Sequence, residues 1–155
     1  MTNLYEERQS FGKYVSIILR HQRIILDKEF ERFGFSSGQY SIFLGVAEGE
    51  GKTQKEIAKA LKITKGTMTK GIQKLIYQGY VRVDVDEVDR RLHSVYLTDK
   101  GKSIVPEVYE LLGKFSTKMT QGLSDEAKDT LYDGLLHMAD NVMAMANDVR
   151  EGYDE

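Results

Sequence analysis

Two threonines, Thr53 and Thr64, each open a short amphipathic run, and this pairing constrains the chain more than any other feature. Thr53 with Glu56 forms a capping box, in which the hydroxyl accepts from the third helical amide and the carboxylate reaches back to the cap. It predicts a helix over 54–61, with Ile57, Ala58 and Leu61 facing inward. Thr64 opens a second helix that runs to about Gln78 and is stopped by Gly79; its inward set is Met68, Ile72, Leu75 and Ile76. A period-two run at 80–85, an acidic–basic turn and a return run at 92–97 follow, the pattern of a β-hairpin. Two close helices and then a hairpin give the order of a helix-turn-helix with a wing. That shape delivers its second helix to a DNA major groove.

Charge is distributed to match. Residues 52–102 hold 12 Lys/Arg against 6 Asp/Glu, while the remainder holds 10 against 18. A basic middle between acidic flanks is an electrostatic footprint that the net charge of −2 hides. At 155 residues, 41% hydrophobic and 30% charged, the chain reads as one globular domain spanning 1–155. Within it we expect an N-terminal helix (1–34), a DNA-binding lobe (35–98) and C-terminal helices (99–155). The sequence has no cysteine, which excludes disulfides, thiolate zinc sites and thiol redox sensing. No basic-then-apolar leader opens it, and no apolar run approaches the roughly 18 residues of a membrane span. A cytoplasmic protein without a membrane partner is the expectation.

The flanks read as long helices. Phe11, Val15, Ile18, Ile25, Leu26, Phe30 and Phe33 recur near helical spacing over 4–33, and Gly34 supplies a left-handed stop. Ser36 with Gln39 resembles a further capping box, opening a helix striped by Tyr40, Phe43, Leu44 and Ala47. Thr98 starts a helix carrying Val105, Val108, Leu111, Leu112, Phe115 and Met119; Pro106 inside it predicts a kink or a late start. Ser124 caps the last helix, with Leu131, Leu135, Met138, Val142, Met145 and Val149 on one side. These stripes are wider than a small winged core requires, and Met138, Met143 and Met145 add an adaptable surface. Pairing of two such arms predicts a homodimer and a pseudo-palindromic operator with half-sites about one helical turn apart. The fold class is therefore mainly α with a small antiparallel β wing: a winged helix-turn-helix with long N- and C-terminal dimerisation helices.

With 68, 72, 75 and 76 committed to the core, Lys65, Gly66, Thr69, Lys70 and Gln73 occupy the opposite face, Thr67 borders it, and Lys74 joins the DNA-binding set. Lysine can read guanine edges, glutamine adenine, and threonine thymine methyls or phosphates. Helix N-termini at Gln54 and Lys65 offer free backbone N–H groups to phosphate. Arg90 and Arg91 sit at the hairpin tip, where core packing does not explain them and where an arginine can enter the minor groove. Asp86 and Asp89 beside them repel phosphate, so pairing with an arginine is the role that fits. The bland alternatives are a solvated helix face and a solvated turn.

Taken in order, Thr53-Gln54-Lys55-Glu56-Ile57-Ala58, Thr67-Met68-Thr69-Lys70, Leu75, Gly79-Tyr80-Val81, Asp86-x-x-Asp89-Arg90-Arg91 and Leu97-Thr98-x-x-Gly101 resemble the MarR family of transcriptional regulators over nearly the whole chain. The resemblance implies a homodimer joined through first and last helices, with Arg91 reaching the minor groove and Asp89 orienting it. It also implies a repressor that occupies double-stranded DNA and is released by a small effector, often an aromatic acid. Arg20, His21, Arg23 and Tyr40 lie on segments able to line an effector crevice. The peroxide-sensing mode of some relatives is excluded by the missing cysteine.

Two departures from the family pattern stand out. Lys62 occupies a turn position where glycine is common, so that turn must avoid left-handed geometry or bear strain. Gly66 and Gly71 lie inside the recognition helix, each costing roughly 1 kcal/mol relative to alanine. Gly71 replaces an apolar residue, which suggests a close backbone approach or a softer helix. Gly49-Glu50-Gly51-Lys52-Thr53 imitates a phosphate loop, but Val46 stands where the first glycine belongs and a helix, not a strand, precedes it. His21, His93 and His137 lack ligand spacing, and no nucleophile–base–acid pattern is present, so neither a metal, a cofactor nor catalysis is expected. A winged-helix protein-interaction module that does not bind DNA is the competing reading.

Overall fold

The computed structural model describes residues 11–36, 38–85, 87–89 and 93–151. These divide into two compact units, one ending at Leu111 and one beginning at Leu112.

In the first unit, helix α1 (Phe11–Phe30) passes into a 3₁₀ turn (Glu31–Phe33), which Gly34 ends at φ 73° with its N–H on the Glu31 carbonyl. The expected start of this helix at residue 4 lies outside the described residues. Helix α2 (Gln39–Glu48) follows, and here the expected Ser36–Gln39 capping box does not form. Gly38 is the cap, with no side-chain cap hydrogen bond, and the Ser36 carbonyl accepts the Gln39 amide at 2.8 Å. The Gln39 side chain turns inward instead and donates to Gln78 Oε1. Ile42, Phe43, Leu44, Gly45 and Val46 are buried in succession, so α2 is wrapped on nearly every side.

Helix α3 (Gln54–Ala60) starts at the Thr53–Glu56 capping box, with both arms present. Helix α4 (Lys65–Tyr77) starts at Thr64, whose hydroxyl accepts the Thr67 amide at 3.2 Å. Gly79 follows α4 at φ 77°. The turn between α3 and α4 places Lys62 at φ 55°, the left-handed region that costs an L-residue roughly 1–2 kcal/mol. The strain alternative is thus the one realised.

Strands β1 (Val81–Val85) and β2 (His93–Leu97) pair antiparallel, from Val81 opposite Leu97 to Val85 opposite His93. The root of this wing is pinned to the loop before α3: Gly51 N–H donates to the Val95 carbonyl and Val95 N–H to the Lys52 carbonyl. Helix α5 (Asp99–Met119) begins where Thr98 accepts the Gly101 amide, so Pro106 lies in the helix interior and the late start does not occur. Phe30, Phe33, Phe35, Tyr40, Phe43 and Tyr80 form a continuous aromatic cluster, with Phe30 and Tyr40 stacked at 4.9 Å and Phe35 and Tyr80 edge-on at 5.2 Å. Leu26, Ile57, Met68, Ile72, Leu75, Val95 and Val108 complete the core.

The second unit contains the end of α5 and helix α6 (Asp125–Glu151), which Ser124 caps through the Ala127 amide. None of the described α6 side chains is buried. Among the described residues, no helix is long and apolar enough to cross a membrane. The molecule is thus mainly helical, with a two-stranded antiparallel wing after a helix-turn-helix.

Candidate nucleic-acid interface

Helix α4 buries Met68, Ile72 and Leu75 against the core. Ile76, expected to join them, is 43% exposed; it lies at the border of the buried row, which is centred on the other three. Gly71 meets Ile42 of α2: a Cβ at Gly71 would stand 2.2 Å from the Ile42 Cδ1. The missing side chain therefore lets the α4 backbone close on α2, as the sequence suggested. Gly66 is the opposite case, since a Cβ there would meet only the Thr64 hydroxyl, at 4.0 Å.

Opposite the buried row, Gly66, Lys70 and Gln73 are exposed, with Lys65, Thr67 and Lys74 beside them. No acidic residue occurs on α4, so its outer face carries only positive charge. Thr67 is held by its neighbour, its hydroxyl lying 2.9 Å from that of Thr64. Gln54, Lys65 and Thr69 come together around an open groove between α3 and α4. Ala58, Ile63 and Met68 give that groove an apolar floor, and Lys55 and Lys59 add to its rim. Those two lysines were missed by the sequence reading; their i,i+4 spacing on a capped helix was the available signal.

The start of α3 is fixed electrostatically. The Thr53 N–H donates to Glu56 Oε2 at 2.8 Å, and the Thr53 hydroxyl does the same. The backbone donor first, then the hydroxyl, hold the Glu56 carboxyl below the usual carboxylate range.

The far end of α4 is clamped from three sides. Lys100 Nζ donates to the Gln78 carbonyl at 2.7 Å and stands 4.4 Å above the Tyr80 ring, a cation at the negative end of the helix. The Gln78 amide donates to the Gly34 carbonyl, and Gln78 Oε1 accepts from Gln39. Tyr80 donates its hydroxyl to the Phe33 carbonyl at 3.1 Å, and burial raises its pKa. Gln39 is 3% exposed, and its own Oε1 has no hydrogen-bond partner among the described residues. A buried amide is expensive unless bonded, and the bond from Gln39 to Gln78 ties the start of α2 to the end of α4.

In the wing, Arg82 lies over the Tyr96 ring at 4.6 Å and pairs with Asp84. Asp89 is described and exposed. Asp86, Arg90 and Arg91 lie outside the described residues.

Of the four effector candidates, three lie on α1 and one on α2. Arg20, His21 and Arg23 are exposed on α1, where Arg23 pairs with Asp27 at 3.7 Å and the His21 ring lies 2.8 Å from the Ile17 carbonyl. Tyr40 is half-buried and stacked on Phe30. Among the described residues, no group of three or more His, Asp or Glu could hold a metal ion.

Comparison with known proteins agrees with this architecture. Residues 33–92 match the model of the MarR family. The transcriptional regulator YwoH of Bacillus subtilis is 31% identical, over 75% of this chain and 90% of its own length. The crystal structure of a MarR transcriptional regulator from Methanosarcina mazei superposes with a TM-score of 0.77 at 30% identity, covering 89% of this chain and 99% of that one. A MarR family regulator from Listeria monocytogenes, solved in complex with a 26-mer DNA, shares the fold with a TM-score of 0.84 at 19% identity, covering 94% and 97% of the two chains. Helix-turn-helix, wing and flanking helices thus recur together with the sequence, and the chain belongs to the MarR family of transcriptional regulators.

Proposed function

We propose that this regulator is a homodimer that binds a pseudo-palindromic double-stranded operator in the cytoplasm, represses by occupying it, and is released by a small effector. The observation that carries the reading is the acid-free outer face of α4, with Gly66, Lys70 and Gln73 directly opposite its core row. Gln54, Lys65, Thr67, Thr69 and Lys74 supply flanking phosphate or base contacts. Arg90 and Arg91, which lie between the two strands in the sequence, supply the minor-groove contact, with Asp89 orienting Arg91. The DNA-bound Listeria protein of the same fold supports this use of the scaffold. Dimerisation is supported by the exposed apolar residues of the long helices, among them Phe11 and Ile18 of α1 and Leu131, Leu135 and Val142 of α6.

Salt dependence tests the reading. Binding through about 6–10 phosphates should weaken by roughly 10³–10⁵ between 50 and 200 mM salt. Salt-insensitive or absent duplex binding would favour the protein-interaction module instead. Arg91→Ala should cost about 1–3 kcal/mol in operator affinity with folding unchanged.

For the effector, the groove between α3 and α4 is a second candidate site beside Arg20, His21, Arg23 and Tyr40. Its floor is apolar and its rim carries Lys55, Lys59 and Lys65. An acid seated there meets the same residues that face DNA, so occupancy and operator binding compete. Titration of an aromatic acid series, read by shifts of the Met68 methyl and by operator release, separates this groove from an α1 site.

A further inference from the structure

The outward stripe on α4 does not stop at Gln73. Exposed residues continue at intervals of four, three and four: Gly66, Lys70, Gln73 and Tyr77. At about 100° per residue these four fall within about 60° of one another, with Tyr77 nearly opposite the mean direction of Met68, Ile72 and Leu75. Tyr77 is 92% exposed, the largest apolar surface on that face. Sequence reading ended the binding face at Lys74 and left Tyr77 unassigned.

We infer that Tyr77 contacts DNA, donating its hydroxyl to a backbone phosphate at the wall of the major groove. The inference rests on the DNA-binding reading above. Tyr77 lies eleven positions after Gly66, roughly 16 Å along the helix, whereas the major groove is about 12 Å wide. A straight helix whose glycine end sits close to the bases therefore carries its far end out to the sugar–phosphate wall. Tyrosine is among the side chains that bond phosphate oxygens. Lys74 lies within one turn of Tyr77, Lys70 lies about two turns back on the same face, and no acid interrupts them, so the local field favours a phosphate as occupant. A neutral hydroxyl releases no counterion, which gives the contact a distinctive signature: affinity falls without a change in salt slope.

The test uses the full chain and a duplex selected from random DNA. Tyr77→Phe should weaken binding roughly three- to tenfold per half-site, the range of one net hydrogen bond, and so about ten- to a hundredfold for a dimer on both half-sites. The loss should be equal across single-base variants of the duplex, with parental melting temperature and salt slope; Tyr77→Ala should lose at least as much. Parental affinity in both variants overturns the inference, as does a loss confined to particular bases. A changed oligomeric state with duplex affinity intact assigns Tyr77 to a protein contact and overturns it too. If Lys70→Ala abolishes binding while both Tyr77 variants bind normally, this inference alone falls. If the parent binds no duplex, the DNA reading falls with it.

Discussion

Helices α2 and α6 occupy opposite ends of the burial range. Five consecutive residues of the ten in α2 are buried, while none of the described side chains in the 27-residue α6 is. The difference lies in how each distributes its apolar residues. In α2, Ile42, Phe43, Leu44 and Val46 cover most directions around the axis, so the helix suits only an interior. In α6, Leu131, Leu135, Met138, Val142, Met145 and Val149 recur at alternating spacings of four and three, with Tyr132, Leu136 and Met143 widening the stripe and acids and amides elsewhere. Such a stripe is complete in sequence and is satisfied by one further surface. A helix apolar all round is buried within its own lobe, whereas α6 leaves an apolar stripe exposed, which in the proposed dimer a second copy covers.

The largest effects come from breaking each side of this contrast separately. Phe43→Ala removes a fully buried ring and should cost about 3–5 kcal/mol of unfolding free energy, measured by urea denaturation. A loss under 1 kcal/mol would show that α2 is not the centre of the lobe. Leu135→Ala should act on association instead. About 2 kcal/mol from each copy raises the dimer dissociation constant roughly 10³-fold, read by sedimentation equilibrium. An unchanged dimer would remove α6 from the interface.

A matched glycine pair sharpens the contrast within α4. Gly71→Ala drives a methyl into Ile42 and should destabilise by about 1–2 kcal/mol after its gain in helix propensity. Gly66→Ala meets open space and should stabilise by roughly 1 kcal/mol. Thermal melts of the two variants should therefore move in opposite directions; shifts of the same sign would mean that α4 does not close on α2 as described. If Gly66→Ala also weakens operator binding while stabilising the fold, the glycine is kept for approach to DNA.

The smallest expected effect is the acid sensitivity of α3. Since the folded Glu56 carboxyl sits below its usual range, its stabilisation is present above the unfolded carboxylate range and fades as pH falls through the folded value. Protection factors at the Thr53 and Glu56 amides, corrected for the intrinsic exchange rate at each pH, should fall over that acid window while those of the α2 core stay constant. Glu56→Gln should flatten the dependence; an unaltered profile would exclude the capping box as its source.

Much of this architecture was legible because its signals are local. The Thr53–Glu56 box, the Thr64 cap and the Gly79 stop each act within a few residues, and the structure reproduces them. What was not legible depended on distant partners. Gln39 looked like the closing residue of a cap, but Gln78, 39 positions away, drew it into the interior. Ile42 and Val46 were passed over because a search for one apolar stripe under-reads a helix buried all round. Tyr77 was passed over because an aromatic at a helix end reads as core unless its direction is counted. The lysine rim at Lys55 and Lys59 needed α4 in place before it became a groove.

Hydroxyl-radical footprinting of a selected duplex tests the central claim most directly. Two copies, each presenting the outer face of α4, should protect two backbone windows about one helical turn apart, and Lys70→Ala should weaken both windows together. A lone protected window, or none at concentrations that saturate the duplex, would contradict it.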